Sequence, residues 1–350
     1  QSLDHATKQD RTLDRANIMR TLGDVQLQLG NFDASRAYLD ESLALLASSE
    51  DNDFLLSKAN TFHSIGDVEY RLGKLSSSRQ CFEDTLRIFQ RINDPWGTAL
   101  ALRSLGDVAR FLGHAAEARS YLLQAIHIFK TQQDIIGEAG AVLALGRVES
   151  RVGLWDEALP HFQSCFALYE AQKNQLGLGN TLKCMGDKYF KKMQQDEASG
   201  DYKRALPLFT AGKCQLGEAQ TLRCLADLCF HCNSFSESKV YIEKALRLYQ
   251  VLQNQRGEAN ALRTLAILQL QEGNSTLSDS LYERAKILFD AIRKEVWGHH
   301  FELMDQVEYE LQSLGSDLEI SPPTTWAMEK WMEQSNGVAQ ALDIISEVER

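Results

Sequence analysis

A small residue recurs every 40 positions along most of this chain and divides it into repeating units. The series consists of Gly66, Gly106, Gly146, Gly186, Ala226 and Ala266, and Gly23 begins it 43 residues before Gly66. Seven copies at a nearly fixed period predict a repeat array, in which each unit packs only against its neighbours and the core grows along the chain.

The unit at residues 97–129 predicts two antiparallel helices joined by a tight turn at Gly113. Apolar residues in its second half, among them Ala118, Ala125 and Phe129, recur at the three- and four-residue spacing of a helix with one buried face. Gly106 lies midway along the first helix, where a glycine costs about 1 kcal/mol relative to alanine. We therefore expect a neighbouring helix to pass close to Gly106.

The joints between units carry a second pattern, an Asp or Asn three residues before a glycine. It occurs at Asp94–Gly97, Asp134–Gly137, Asn174–Gly177 and Asn254–Gly257. These residue types predict a cap for the first helix of each following repeat. Repeat 5 is irregular, because Met193 stands where the turn glycine occurs in other repeats.

Composition excludes several classes of function. A net charge of −11 argues against a general binder of nucleic-acid backbone, which needs clustered Lys and Arg. The sequence contains no run of 18 apolar residues, so it predicts no membrane span. The odd number of cysteines, seven, suits a reducing environment and predicts a cytoplasmic protein.

Signatures of catalysis and of cofactor binding are missing from the sequence. No GxxxxGK[ST], GxSxG or HExxH segment occurs. Cys229 and Cys232 have the spacing of half a zinc site, whereas a structural site needs four converging ligands. Cys184 and Cys224 occupy a position that holds small residues in other repeats, and we interpret the cysteines as packing residues. We predict no metal, no cofactor and no enzyme.

The repeating unit resembles the tetratricopeptide repeat. The resemblance rests on Leu105, Gly106, Gly113, Ala118, Tyr121, Ala125 and Phe129. The 40-residue period and the Gly-Glu-Ala joints at 137–139, 217–219 and 257–259 resemble a longer-helix subtype. That subtype occurs in LGN/Pins-type spindle-orientation adaptors and in the sensor arrays of STAND-type signalling ATPases. The resemblance implies an all-α fold, a right-handed superhelix of about seven antiparallel helix pairs plus a capping helix.

The domain organisation follows from where the pattern begins and fades. We predict a lead-in helix or frayed segment at 1–15, seven repeats at 16–296, a capping helix at 297–317, and a linker with an amphipathic tail helix at 318–350. The chain begins at Gln1 without a methionine, from which we expect a processed or excised boundary.

In this family the first helices line a concave face that binds peptides, and the groove positions are carried over here by phase. One helical stripe contains the offsets −6, −3, +1, +4 and +5 from the mid-helix small residue. The predicted groove residues are Asn60, His63, Asp67, Tyr70, Arg71, Arg103, Asp107, Arg110, Arg147, Arg151, Asn180, Lys183, Asp187, Phe190, Arg223, Asp227, Phe230, Asn260 and Arg263. Amides can pair with a peptide backbone, arginines with carboxylates, and aromatic rings can form anchoring pockets.

These residues predict a non-catalytic scaffold or signalling adaptor that binds a peptide or helical segment of a partner protein. A solvated face is the simpler interpretation, because residues at −3 and +1 are i,i+4 neighbours that can neutralise each other. Two further alternatives stay open. The array can be the ligand-sensing arm of a larger STAND-type ATPase, or the tail at 324–350 can dock in the groove as an autoinhibitor. Nucleic acid and membrane are not expected as partners.

Overall fold

A computed structural model describes the backbone of residues 2–297 and the side chains of residues 11–292 apart from Ser48. This part of the chain forms fourteen α-helices, a single 3₁₀ turn at Leu46–Ser48 and no strand. The helices are α1 (Ser2–Gln28), α2 (Phe32–Leu45), α3 (Asn52–Leu72), α4 (Leu75–Arg91), α5 (Pro95–Leu112), α6 (Ala115–Thr131), α7 (Ile135–Arg151), α8 (Trp155–Ala171), α9 (Gln175–Lys191), α10 (Gln195–Ala211), α11 (Gln215–His231), α12 (Phe235–Val251), α13 (Gln255–Gln271) and α14 (Ser275–Trp297).

The helices form seven consecutive pairs, and the odd-numbered helix is the first of each pair. The helices of the first six pairs pack together, and in the seventh pair Leu262 and Ala266 of α13 pack with Leu281 and Ala285 of α14. First helices of neighbouring repeats also contact one another, at α1–α3, α5–α7, α7–α9, α9–α11 and α11–α13. The predicted all-α solenoid of about seven helix pairs is therefore confirmed. Helix α1 begins at Ser2 and runs through the segment predicted as a lead-in.

The described helices lie in one compact unit, Gln1–Val296, with only Trp297 of α14 beyond it. The capping helix predicted at 297–317 lies outside the described residues apart from Trp297. The linker and tail predicted at 318–350 lie outside them entirely.

The mid-helix glycines allow the two helices of a repeat to approach closely. A Cβ atom at Gly106 would lie 2.7 Å from Cγ of Leu122 on α6, too close for two carbon atoms. In repeat 5, a Cβ atom at Gly186 would lie 2.6 Å from the ring of Tyr202 on α10. The predicted close approach at Gly106 is confirmed.

The predicted caps are also confirmed. The backbone N–H of Gly97 donates to Oδ1 of Asp94 at 3.1 Å, and the other three joints repeat this bond at 2.7–2.9 Å. Within repeats, the turn glycine adopts the left-handed conformation, as Gly113 does with φ of 88°. Met193 takes the same conformation in repeat 5, with φ of 60°. The turn geometry is therefore kept even where the glycine is lost.

Candidate functional site: a cavity across four first helices

A cavity of about 260 Å³ lies where α3, α5, α7 and α9 line the concave face. Its walls combine charged, polar and aromatic side chains with small residues that leave room between them. The lining residues are His63, Asp67, Tyr70, Phe82, Arg103, Ser104, Asp107, Gly140, Leu143, Ala144, Arg147, Tyr169 and Asn180. The pocket is thus built from four consecutive repeats, with one ring each from the outer helices α4 and α8.

Seven of the predicted groove residues meet in this cavity: His63, Asp67, Tyr70, Arg103, Asp107, Arg147 and Asn180. Sequence reasoning did not place Phe82 and Tyr169 there, because their pattern on the second helices is that of core residues. Both are buried, and both line the cavity. Ser104 and Ala144 were also missed, since short side chains at their position are explained by packing alone.

Gly140 opens the cavity in repeat 4. The same repeat position holds Asn60, Leu100, Asn180, Gln220 and Asn260 elsewhere. A Cβ atom at Gly140 would lie 3.0 Å from Nη1 of Arg103 and 3.5 Å from the hydroxyl oxygen of Tyr169. A larger residue would therefore push on both side chains and fill the space. This glycine, at a position where other repeats carry large side chains, was the available sequence signal for the pocket.

His63 forms the wall of the cavity beside α5. Its Nε2 atom is hydrogen-bonded to Oγ of Ser104 at 3.0 Å, and its Nδ1 atom lies 3.7 Å from Oδ2 of Asp67. Burial lowers the pKa of His63 below its ordinary value, and the opposing attraction of Asp67 is smaller. The imidazole is therefore neutral at pH 7 and contributes one donor and one acceptor.

Arg103 lacks the partner that its repeat position provides elsewhere. The residue at this position pairs with the acid four residues later in Arg20–Asp24 (2.8 Å), Lys183–Asp187 (3.4 Å) and Arg223–Asp227 (2.6 Å). In repeat 3, Asp107 instead accepts a hydrogen bond from Arg110 at 3.1 Å. The half-buried Arg103 guanidinium makes no hydrogen bond or ion pair to any described residue, and neither does the side chain of Asn180.

The pairs in repeats 5 and 6 form a second cluster along the concave face. Asp187 accepts hydrogen bonds from Tyr202 at 2.7 Å and from Cys224 at 3.5 Å, while Lys183 lies 3.4 Å away. Burial alone would raise the pKa of Asp187, but Lys183, Tyr202 and Arg223 outweigh it and hold the pKa below its ordinary value. This cluster is internally neutralised, as the solvated-face interpretation predicts.

The remaining predicted residues do not enter the cavity. Phe190 and Phe230 each pack a ring near His231, at centroid distances of 5.1 and 6.0 Å. Arg110 and Arg151 lie near the ring of Phe111, and the side chain of Asn260 donates to its own helix. Asn60, Arg71 and Arg263 make no hydrogen bond or ion pair to another described residue.

The part of the chain that the structure describes contains no group of three or more His, Cys, Asp or Glu side chains placed to hold a metal ion. Cys184 and Cys224 are buried, as expected of packing residues, while Cys232 is exposed. None of the described helices is both long enough and apolar enough to cross a bilayer.

The described helices form a helical-repeat solenoid with a polar cavity among its first helices. Residues 57–131 match the family profile described as the tetratricopeptide repeat, which covers repeats 2 and 3. The repeat prediction is thereby confirmed at the level of the repeat type, while the LGN/Pins and STAND subtypes stay hypotheses. No curated protein sequence matches this chain.

Several solved structures share the fold at low sequence identity. A Rap protein complexed with Competence and Sporulation Factor is 15% identical with a TM-score of 0.65, over 79% of this chain and 75% of that one. NprR in complex with its cognate peptide NprX is 14% identical with a TM-score of 0.66, over 96% and 88% of the two chains. Aspartyl phosphate phosphatase F from Bacillus subtilis is 10% identical with a TM-score of 0.62, over 82% and 73%. At these identities the likeness establishes the fold and not the activity.

Proposed function

We propose that this protein is a non-catalytic scaffold whose concave groove binds an extended or helical peptide segment of a partner protein, centred on the cavity at Gly140. The observation that carries the proposal is the pair of half-buried donors, Arg103 and Asn180, which line the cavity without a hydrogen-bond partner among the described residues. The donor atoms of both side chains are not fully buried, so water can reach them, and a ligand can replace that water with direct hydrogen bonds. A ligand that satisfies both gains affinity on binding.

The chemistry of the cavity suits a peptide. Arg103 can hold a carboxylate in a bidentate pair, and the amide of Asn180 can both donate to and accept from a peptide backbone. The rings of Tyr169 and Phe82 supply apolar contact for one side chain in a space of about 260 Å³. One fold neighbour, NprR, was solved in complex with its cognate peptide NprX, and a Rap protein was solved in complex with Competence and Sporulation Factor. That use of the same fold supports the proposal.

This function is tested by selecting peptides that bind the full chain from a displayed library of random sequences. We expect selected peptides to bind with a Kd that rises at least tenfold in Arg103→Ala and in Asn180→Ala, measured by fluorescence anisotropy. Gly140→Leu should have a similar effect, because the added side chain occupies the cavity. Arg247→Ala is the matched control, since Arg247 is exposed on the outer helix α12 and forms no ion pair with a described residue. Peptides that bind all these variants equally would contradict the proposal.

The proposed setting is signalling in the cytoplasm, and all seven cysteines are free, in keeping with a reducing compartment. The sensor-arm alternative uses the same groove, so the same selection addresses it. Docking of the tail 324–350 concerns residues outside the described part of the chain. One fold neighbour is an aspartyl phosphate phosphatase, so a parallel assay with an aspartyl-phosphate substrate checks the expectation that the chain is not an enzyme.

A further inference from the structure

Three arginines from three different repeats surround one aromatic ring. The guanidinium carbons of Arg110, Arg256 and Arg151 lie 4.4, 5.6 and 5.9 Å from the centroid of the Phe111 ring. Arg110 and Phe111 end α5, Arg151 ends α7, and Arg256 is in the first turn of α13. The cluster therefore joins repeats 3, 4 and 7.

Two members of the cluster depart from the pattern of the repeats. The position of Phe111 holds a polar or charged side chain in every other repeat, namely Gln28, Arg71, Arg151, Lys191, His231 and Gln271. The position of Arg256 holds apolar side chains elsewhere, in Trp96, Ile136, Leu176 and Leu216. The two exceptional residues, 145 positions apart in sequence (256 minus 111), meet in space. Duplication of a repeat copies residues into equivalent positions, so it does not explain why two residues that both depart from the repeat pattern contact each other.

The superhelix brings these distant repeats together. A Cβ atom at Gly30, in the turn of repeat 1, would lie 3.2 Å from the carbonyl oxygen of Leu252, which precedes α13. The start of α13 thus lies against the turn of repeat 1 and against the end of α5. Accumulated rotation per repeat produces such an approach in a solenoid.

The cluster carries positive charge that the described residues do not balance. Arg110 is paired with Asp107, but Arg151 and Arg256 have no ion pair with any described carboxylate. Arg151 donates only a long bond, 3.5 Å, from Nη2 to the carbonyl oxygen of Phe111. Partial burial and the nearby charges of Arg110 and Arg256 lower the pKa of Arg151. Two unpaired guanidiniums beside a third, in a chain of net charge −11, form a site that attracts an anion.

We propose that Arg110, Arg151 and Arg256 form a receptor for one carboxylate of the peptide bound in the groove. The inference rests on the proposed function and assigns a subsite to it. A carboxylate between the three guanidiniums can accept bidentate hydrogen bonds from two of them while Phe111 holds their planes in place. Because Arg256 comes from repeat 7, an occupied site also links repeats 3 and 4 to the last repeat.

The test uses the peptides selected by display, each synthesised also as a series in which one carboxylate at a time is neutralised, by Asp to Asn, by Glu to Gln or by amidation of the carboxyl terminus. Kd is measured for the full chain, for Arg151→Gln/Arg256→Gln, and for Arg247→Gln as the matched charge control. We expect neutralisation of one particular carboxylate to weaken binding to the wild type and to Arg247→Gln about tenfold or more. In the double variant the charged and neutral peptides should bind alike.

Arg256→Leu is a second variant that restores the apolar residue type of Leu176 and Leu216, so we expect it to fold. In Arg256→Leu, the loss of affinity caused by neutralising the carboxylate should be at least threefold smaller than in the wild type. If neutralisation costs the same in the wild type and in both variants, the receptor is overturned while the groove proposal stands. If no selected peptide depends on Arg103 or Asn180, the groove proposal fails. In that case a sulfate titration, followed by NMR through the arginine Nε–Hε resonances, tests the carboxylate receptor separately. The receptor is overturned if the resonances of Arg151 and Arg256 do not shift at millimolar sulfate.

Discussion

The hydroxyl of Tyr202 donates a 2.7 Å hydrogen bond to Oδ1 of Asp187. Tyr202 belongs to the buried side of α10, whereas Asp187 belongs to the concave stripe of α9. The Tyr202 ring can lie between the two helices because Gly186 has no side chain. A core aromatic residue thus fixes the orientation of a groove carboxylate.

Tyr202→Phe should lower the free energy of unfolding at pH 7 by about 1.5–3 kcal/mol, because the hydrogen bond to an ionised carboxylate is lost. The pKa of Asp187 is lowered in the folded chain, so its contribution is present above the unfolded pKa of about 4 and is lost as the pH falls below it. The cost of the substitution should therefore shrink between pH 7 and pH 3 in urea denaturation. Tyr169→Phe is the control, because the Tyr169 hydroxyl makes no hydrogen bond to a described residue. An equal cost for both variants would contradict this account.

Gly186→Ala should destabilise the chain by about 1–3 kcal/mol, because the new methyl group would lie against the Tyr202 ring. Gly200→Ala is the matched control in the same repeat. Nothing lies within 4 Å of a Cβ atom at Gly200, which is exposed within α10. That substitution should stabilise the chain by up to about 1 kcal/mol through helix propensity. Thermal denaturation of the two variants should therefore move the midpoint in opposite directions.

Met193→Gly should stabilise the chain by about 1 kcal/mol. Met193 has φ of 60°, a conformation that disfavours side chains with a Cβ atom, and its side chain is 71% exposed, so little packing is lost. Gly153→Ala is the reciprocal change, at the same turn position with φ of 85° and open space around it. It should destabilise by a similar amount. A destabilised Met193→Gly in chemical denaturation would show that the exposed methionine makes a contact of its own.

Asp201→Asn should stabilise the chain at pH 7 by about 1 kcal/mol, because it removes the negative charge of a carboxylate whose Oδ2 is buried without a hydrogen-bond partner. Burial raises the pKa of Asp201 in the folded chain despite the opposing attraction of Arg204. A raised pKa means that the folded chain binds the proton of Asp201 more tightly than the unfolded chain does. The free energy of unfolding therefore falls as the pH rises through the folded pKa. The advantage of the variant should therefore be largest at pH 7 and vanish near pH 3. An advantage that is independent of pH would rule out this cause.

Much of the fold could be predicted because it depends on local chemistry that repeats. The period of the small residues fixed the helix pairs, and the Asp or Asn before a glycine located the start of each first helix, as the bond from Gly97 to Asp94 confirms. The phase of Gly106 and its equivalents predicted a stripe of residues, seven of which line one cavity. These features follow from sequence alone, since capping, close approach and one-sided burial act within a few residues or between adjacent helices.

The sites required the tertiary structure. The pattern of repeat 3 pairs Arg103 with Asp107, but Asp107 bonds to Arg110 and leaves Arg103 without a partner. Phe111 and Arg256 meet only because small rotations accumulate over four repeats and bring the start of α13 to the end of α5. The sequence therefore determined the repeat and its caps. Only the superhelix decided which residues share one cavity or one cluster of charge. The curvature of the superhelix is the sum of small rotations over all repeats, so the sequence of a single repeat does not predict it.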